Sequence, residues 1–221
     1  MSRVFATTLV GMVAAAVLCG GCTFKSSEPA KEAEALPEGK IVLTEKFDGP
    51  LGARFNDTSD GAYAVVDGKL RAQGAHNRPL WLKEKLPGDA RIDFTARSLS
   101  PAVDIKVELY GDGKSYAKEA SYTATSYVLI LGGWNNSRSI IARMDEHGRD
   151  RKVRKEPPGE VGRTYAFCAV RRGGALAWYL DGERFLSLDD PEPLRGPEHE
   201  HFAFNNWESE VYFDDLVIRE L

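Results

Sequence analysis

The feature that most constrains the fold is a period-two alternation of apolar and polar residues, which recurs from residue 40 to the C-terminus. It is clearest in Arg91–Arg97 and in Val103–Leu109. Successive side chains of a strand point to opposite faces, so this spacing predicts strands that are buried on one face. We expect about twelve or thirteen short strands and no long helix, which together form an all-β sandwich or barrel. Turn dipeptides separate the strands at Asp67-Gly68, Asp112-Gly113, Gly173-Gly174 and Asp181-Gly182.

The last strand contains a change of phase. Val211 and Phe213 lie in one phase of the alternation, whereas Leu216 and Ile218 lie in the other. If all four side chains are buried, one extra residue must interrupt the strand between the two pairs. The sequence therefore predicts a β-bulge at Asp214–Asp215.

The N-terminal segment has the pattern of a secretion signal. Arg3 precedes the uncharged, mainly apolar stretch Val4–Leu18, and small residues then lead to Cys22. This arrangement is too short for a comfortable membrane span and resembles a bacterial lipobox, although Cys19 stands where Leu is usual. We therefore predict a lipoprotein signal peptide over residues 1–21 and a lipid on Cys22, with an ordinary cleaved signal as the alternative.

The residues that follow divide into a tether and a domain. Residues 22–39 are rich in Ser, Pro, Ala, Glu and Lys, which predicts a flexible tether, and the domain is expected over residues 40–221. Loss of Cys19 with the signal and acylation of Cys22 would leave Cys168 without a partner, and its strand pattern predicts a buried, inert thiol. The domain must then be held together by its own core.

The charge balance and the signal predict the location and the partners. The chain has 33 acidic and 29 basic residues, a formal net charge of −4, which argues against nucleic-acid binding. We expect an extracytoplasmic protein that is held to a membrane through its lipid anchor. Thr23 after the lipidated cysteine would place it in the outer membrane if the cell is Gram-negative.

Three segments carry a resemblance to a known superfamily: Asp67–Leu70 (DGKL), Trp178–Gly182 (WYLDG) and Phe213–Ile218 (FDDLVI). With these segments the chain resembles the concanavalin A-like lectin and glucanase superfamily, near the 3-keto-disaccharide hydrolase and family 16 glycoside hydrolase-like domains. The resemblance covers about residues 40–221. It implies a jelly-roll sandwich of two curved antiparallel sheets, with ligands held on the concave face.

The resemblance also bears on catalysis and on metal binding. Active family 16 enzymes have a Glu-x-Asp-x-Glu strand, and no such strand is present in this sequence, so no catalytic residue is predicted. Related sandwiches often hold a structural calcium ion where the first and last strands meet. Asp48, Asp214 and Asp215 offer hard oxygen ligands there, so the resemblance implies a structural Ca²⁺ site.

Groups of residues suited to sugars occur at three places, which are the segments that contain Trp81, Trp134 and Trp207. An aromatic ring can stack on the C–H face of a sugar, while amides and guanidinium groups bind hydroxyl pairs. Tyr127–Leu131 is apolar on both faces and is followed by Gly132 and Gly133, which would let the chain bend and expose the next ring. The hairpin tip Arg143–Asp150 is a candidate rim loop. The predicted ligand-binding residues are Trp134, Asn135, Trp207, Asn206, Arg78, Trp81, His147 and Glu146.

The leading functional hypothesis is a lipid-anchored, extracytoplasmic carbohydrate-binding module whose partner is a glycan or oligosaccharide. Two alternatives stay open: a glycoside-cleaving hydrolase of the 3-keto-disaccharide hydrolase type, and a structural or adhesion surface lipoprotein. Trp134 separates a ligand platform from a core residue. We expect its replacement by Ala to change stability by no more than about 1 kcal/mol and to weaken glycan binding.

Overall fold

A computed structural model describes Met1, residues 35–118 and residues 122–221. The predicted signal peptide after Met1, Cys22 and most of the predicted tether lie outside the described residues. Ala33–Leu221 forms one compact unit. Its elements are β1 Lys40–Glu45, β2 Phe55–Asp57, β3 Tyr63–Val66, β4 Lys69–Gln73, β5 Leu80–Leu82, β6 Ala90–Ser98, β7 Ile105–Gly111, β8 Tyr127–Gly132, α1 Gly133–Asn136, β9 Arg138–Arg143, β10 Lys152–Arg154, β11 Thr164–Arg172, β12 Ala175–Leu180, β13 Glu183–Asp189, β14 His201–Asn205 and β15 Glu210–Glu220.

The strands form two antiparallel sheets, which we call sheet A and sheet B. Sheet A has eight strands in the order β13-β12-β11-β6-β15-β4-β3, with β1 also paired to β15. Sheet B has seven strands in the order β10-β9-β8-β7-β14-β5-β2. The all-β prediction is confirmed. The described residues contain fifteen strands, more than expected, because several strands are only three residues long.

Aromatic side chains from both sheets fill the space between them. Phe94 stacks on Phe167 within sheet A, with ring centroids 4.8 Å apart. Across the sandwich Phe204 of sheet B approaches Phe213 of sheet A to 4.6 Å and Phe94 to 6.1 Å. These rings are almost fully buried, and burial of such large apolar surfaces is the main stabilising term in a domain that lacks a disulfide.

The bulge in the last strand is confirmed. The pairing of β15 with β6 shifts between Asp214 and Val217, and Asp215 has a left-handed φ of 52°. This shift lets Val211, Phe213, Leu216 and Ile218 all be buried. Cys168 is also buried as expected, and burial raises the pKa of its thiol to about 12, so the thiol is not a nucleophile near neutral pH.

Sheet B is covered on its outer face as well. Residues 112–118 and 122–126, which connect β7 to β8, pack over it, and Ala117, Tyr122 and Ala124 form a second apolar cluster with Val128 and Ile130. The strand Tyr127–Leu131 is therefore buried on both faces, as its composition predicted. Within residues 35–118 and 122–221, no helix has the length and apolar character that a membrane span needs.

Candidate functional site

Strand β7 presents polar side chains on the outer face of sheet B. Val107 and Leu109 point into the core, whereas Lys106 and Glu108 belong to the opposite phase. Asp104 immediately precedes the strand and lies beside Lys106 at the same pocket. Lys106 and Glu108 are only 2% and 0% exposed, so each charged group needs partners inside the protein.

Lys106 has such partners. Its Nζ atom donates a hydrogen bond to Oδ1 of Asn77, 2.5 Å away, and forms an ion pair with Oε2 of Glu146. Nζ also lies 5.8 Å from the ring centroid of Tyr122. The lysine thereby joins three separate segments of the chain at the floor of the pocket.

Glu108 is held by a second set of hydrogen bonds. Ser126 Oγ and Asn205 Nδ2 donate to its carboxylate at 2.6 and 2.7 Å, and the Tyr122 hydroxyl lies at 3.3 Å. Burial raises the pKa of Glu108, while Lys106 and these donors act in the opposite direction. Burial likewise raises the pKa of Asp104, although Lys106 and the backbone N–H of Trp207, 2.6 Å from Oδ2, oppose it.

Trp134 stands on a left-handed turn at the end of β8. Gly132 has φ 71°, and Trp134, Asn135 and Asn136 follow with φ of 53°, 55° and 58°. Such angles disfavour residues that have a Cβ, so the turn must be fixed by other contacts. Asn136 supplies two of them, because its amide donates to the Gly159 carbonyl and its Oδ1 accepts from the Gly159 N–H. The chain does bend at the two glycines, as predicted. The element α1 that follows is a single turn with strained φ angles, and it is not a regular helix.

The Trp134 ring is half-buried. One part of it packs on the apolar cluster over sheet B, and the ring of His147 meets it edge to face at 5.6 Å. The guanidinium groups of Arg138 and Arg151 each lie 5.4 Å from its centroid. Cation–π contacts of this kind hold the ring in one orientation at the rim.

Trp207 forms another wall of the site. It is 40% exposed, and its ring meets that of His76 edge to face at 4.8 Å. The backbone N–H of His76 donates to the Trp207 carbonyl at 2.9 Å, and that of Asn77 donates to the Asn206 carbonyl at 3.1 Å. His76 and Asn77 have φ of 49° and 60°, so this wall, like the Trp134 turn, contains consecutive left-handed residues.

Between these walls lies a pocket of about 350 Å³, which we call the tryptophan pocket. Its size falls in the range of small-molecule sites, and it combines apolar walls with a few polar groups. The carboxylates of Asp104, Glu146 and Glu208 face a single cation, Lys106, so the described lining is net negative. The lining residues are Asn77, Ala102, Asp104, Lys106, Ile130, Gly133, Trp134, Asn135, Glu146, His147, Trp207, Glu208 and Ser209.

The structure brings together five of the eight predicted ligand-binding residues. Trp134, Asn135, Glu146, His147 and Trp207 all line the tryptophan pocket, although they come from three distant parts of the sequence. Arg78 lies in an adjoining pocket that shares Trp207.

Two of the predicted ligand contacts need correction. Trp81 is fully buried in sheet B, and its indole N–H donates to the Ser115 carbonyl at 2.9 Å, so neither ring face is open to a sugar. Asn206 is also fully buried, and its side chain accepts from the Ala75 N–H at 3.0 Å and donates to the Ser209 carbonyl. It shapes the wall beneath Trp207 and cannot contact a ligand directly.

The ligand-binding residues predicted from the sequence did not include Asp104, Lys106 or Glu208. A signal for the first two was present, because the apolar phase of Val103–Leu109 has a complementary phase that contains Asp104, Lys106 and Glu108. Three charged residues in alternation on a strand that another segment covers indicate a buried polar site. Asn77 stood in the polar run before Trp81, which was one of the predicted sugar-binding groups, whereas Glu208 gave no comparable signal.

The structural calcium site stays a prediction, and one of its proposed ligands already has partners in the protein. The carboxylate of Asp214 forms an ion pair with Lys69 and accepts a hydrogen bond from the Asp215 N–H at 2.8 Å. Calcium needs six to eight oxygen ligands. The part of the chain that the structure describes contains no group of three or more Asp, Glu, His or Cys residues able to hold a metal.

The chain matches no known family profile. An "Extracellular exo-alpha-L-arabinofuranosidase" of Streptomyces chartreusis is 24% identical over 156 residues, which are 71% of this chain and 18% of that relative. The chain therefore spans less than a fifth of that curated relative.

Solved structures are similar in fold. Carbohydrate binding module CBM66 of Bacillus subtilis superposes with a TM-score of 0.58 at 12% identity, over 76% of this chain and 96% of that chain. The laminarinase catalytic domain of Thermotoga maritima gives 0.56 at 13% identity, over 84% and 99%. A structure from work on endo-acting O-glycanases of the human gut microbiota gives 0.57 at 14%, over 82% and 100%. These similarities confirm the predicted concanavalin A-like jelly-roll sandwich.

Proposed function

We propose that this protein binds a glycan in the tryptophan pocket. The observation that carries the proposal is the pair of partly exposed rings, Trp134 and Trp207, that line one pocket together with buried polar groups such as Lys106. Sugars offer apolar C–H faces for the rings and hydroxyl pairs for groups such as Asn135 and Glu208. The named activities of the similar structures and of the arabinofuranosidase support the same class of ligand.

The electrostatics of the pocket favour an uncharged sugar unit. Asp104, Glu146 and Glu208 outnumber Lys106, whose charge is already shared with Glu146. A uronate or sulfate in the pocket would lie near carboxylates that have no other cation among the described lining residues. We therefore propose neutral glycans as the preferred ligands of this pocket.

The proposal includes the location of the protein. The apolar segment before Cys22 and the small residues that flank it support an extracytoplasmic protein that is lipid-anchored through Cys22. The relative described as extracellular and the tether-like composition of residues 22–39 support this location. A glycan-binding domain would then be displayed at the cell surface or in the periplasm.

A second candidate function is glycoside cleavage, and one observation favours it. Burial raises the pKa of Asp104 at the same pocket in which Glu146 pairs with Lys106. A carboxyl group that burial keeps protonated more readily can act as a general acid, and a second carboxyl group lines the same pocket. In that case Asp104 is the proton donor and Glu146 supplies the second carboxyl group.

One experiment tests both candidates. Purified wild-type protein is incubated with a panel of size-graded neutral oligosaccharides and acidic glycans, and both retention and released sugar are measured. The binding proposal predicts retention of neutral glycans, its loss in Trp134→Ala and Trp207→Ala, and no effect of Val161→Ala, which replaces an exposed apolar residue outside the pocket. Sugar release that disappears in Asp104→Asn would favour the hydrolase instead. Failure to retain any glycan would support a structural or adhesion role.

A further inference from the structure

A second pocket adjoins the tryptophan pocket across Trp207. It has a volume of about 490 Å³ and lies between the β2–β3 loop, the end of β4 and the segment that leads to β5. We call it the arginine pocket after Arg78. Its polar lining includes Asp60, Gln73, His76 and Arg78, and Trp207 lines both pockets. The two cavities are therefore neighbours on one surface.

The wall between the pockets is built from two paired segments. His76 and Asn77 are bonded through their backbones to Trp207 and Asn206. Their consecutive side chains line different cavities: His76 lines the arginine pocket and Asn77 lines the tryptophan pocket. Both residues have left-handed φ angles. Residues with a Cβ rarely adopt this conformation, although Asn does so more readily than His. Both residues lie at the point where the two pockets meet.

The arginine pocket contains charged and polar groups that are open to solvent. Arg78 is 38% exposed, and Nη1 donates to Oδ2 of Asp60 at 2.7 Å. Its remaining N–H groups can donate to a ligand, since a guanidinium group has five. Gly61 and Gly74 line the same pocket and leave room beside it. The pocket thus has donors, acceptors and an aromatic edge, as a sugar subsite requires.

We propose that the arginine pocket is a second sugar subsite, and that the ligand is an oligosaccharide of at least two units that crosses Trp207. This inference rests on the proposed glycan binding in the tryptophan pocket. One unit would occupy the tryptophan pocket, the next would lie in the arginine pocket beside Arg78, and Trp207 would contact both. The site would then be selective for chain length.

The test measures the affinity of the purified protein for a monosaccharide, a disaccharide and a trisaccharide of each neutral series in the panel, from glucose to laminaritriose and from arabinose to arabinotriose. Calorimetry should show the trisaccharide of the recognised series binding about tenfold or more tightly than the monosaccharide. Arg78→Ala should weaken trisaccharide binding about tenfold, the cost of one hydrogen bond to a charged group, and change monosaccharide binding less than twofold. Trp134→Ala should weaken both.

The control is Arg97→Ala, which removes an exposed arginine that lines neither pocket. Gln73→Ala supplies a second variant of the arginine pocket if Arg78→Ala fails to fold. Equal affinity for one and three units, with no effect of either variant, would overturn the second subsite and leave the proposed function intact. Absence of binding to every glycan in the panel would overturn the proposed function itself and this inference with it.

Discussion

The ammonium group of Lys106 lies 2.5 Å from the amide oxygen of Asn77, a residue held in a left-handed conformation on the wall below Trp207. This contact couples the floor of the tryptophan pocket to the wall that separates it from the arginine pocket. Lys106 also pairs with Glu146, which lines the same pocket. One buried cation therefore connects Asn77 and Glu146, two lining residues that are far apart in the sequence.

Lys106→Met should destabilise the protein by about 3–5 kcal/mol, because it leaves Glu146 and Asn77 without their buried partner. Urea denaturation measures the free energy of unfolding. Lys114→Met is the matched control, since Lys114 pairs with Glu198 at the surface and both side chains are more than 60% exposed. It should cost no more than about 1 kcal/mol. Equal effects of the two substitutions would show that Lys106 does not hold the site together.

Glu108 should make stability depend on pH in a defined direction. Burial raises its folded-state pKa, so the folded protein holds this proton more tightly than the unfolded protein does. The stability that protonated Glu108 contributes is fully present below the unfolded-state pKa of about 4.3, and it is lost as the pH rises through the folded-state pKa. From pH 4 to pH 8 the wild type should lose free energy of unfolding relative to Glu108→Gln. If the difference in free energy of unfolding between the two proteins stays constant, or shifts in favour of the wild type as pH rises, the result would contradict a raised pKa for Glu108.

The left-handed bend at Gly132 should tolerate no side chain. A Cβ there would lie 2.6 Å from Asn136 Oδ1 and 2.8 Å from Val103 Cβ. Gly68 has nearly the same φ, 69° against 71°, but a Cβ added at Gly68 would meet no atom within 4 Å. Gly68→Ala should thus cost about 1–2 kcal/mol from backbone strain, and Gly132→Ala about 2–4 kcal/mol from strain and overpacking together. Thermal unfolding of the two variants gives the comparison.

Two substitutions of Trp134 should separate the cost of backbone strain from the loss of ring contacts. The sequence led us to expect a stability change of no more than about 1 kcal/mol for Trp134→Ala. Because the ring is half-buried against the cluster over sheet B, about 1–2 kcal/mol is the better expectation. Trp134→Gly should be about 1 kcal/mol more stable than Trp134→Ala, since glycine accepts φ 53° without strain. Both variants should lose glycan affinity, and an Ala variant more stable than the Gly variant would argue against the left-handed turn.

The lipid anchor stays a prediction from the sequence. Cys22→Ser should abolish incorporation of labelled fatty acid and release the protein from the membrane fraction. Incorporation in the variant, or none in the wild type, would contradict acylation at Cys22.

The elements that the sequence predicted are those set by local periodicity. Phase alone indicated the bulge at Asp214–Asp215, and the glycine pair indicated the bend before Trp134, because both are properties of a few neighbouring residues. Trp81 and Asn206 were misassigned for a different reason. Their burial depends on the covering residues 112–118 and on the pairing of residues 75–77 with 206–207, which are long-range contacts that no local pattern encodes.

The most direct test of glycan binding between Trp134 and Trp207 uses the indole N–H signals of the four tryptophans in an NMR titration. Trp134 and Trp207 line the pocket, whereas Trp81 and Trp178 are fully buried and serve as internal controls. Signals are assigned with single Trp variants, and the oligosaccharide that the panel identifies is added stepwise. We predict saturable shifts of the Trp134 and Trp207 signals and unchanged Trp81 and Trp178 signals. Saturable binding that leaves the Trp134 and Trp207 signals in place would contradict the assigned site.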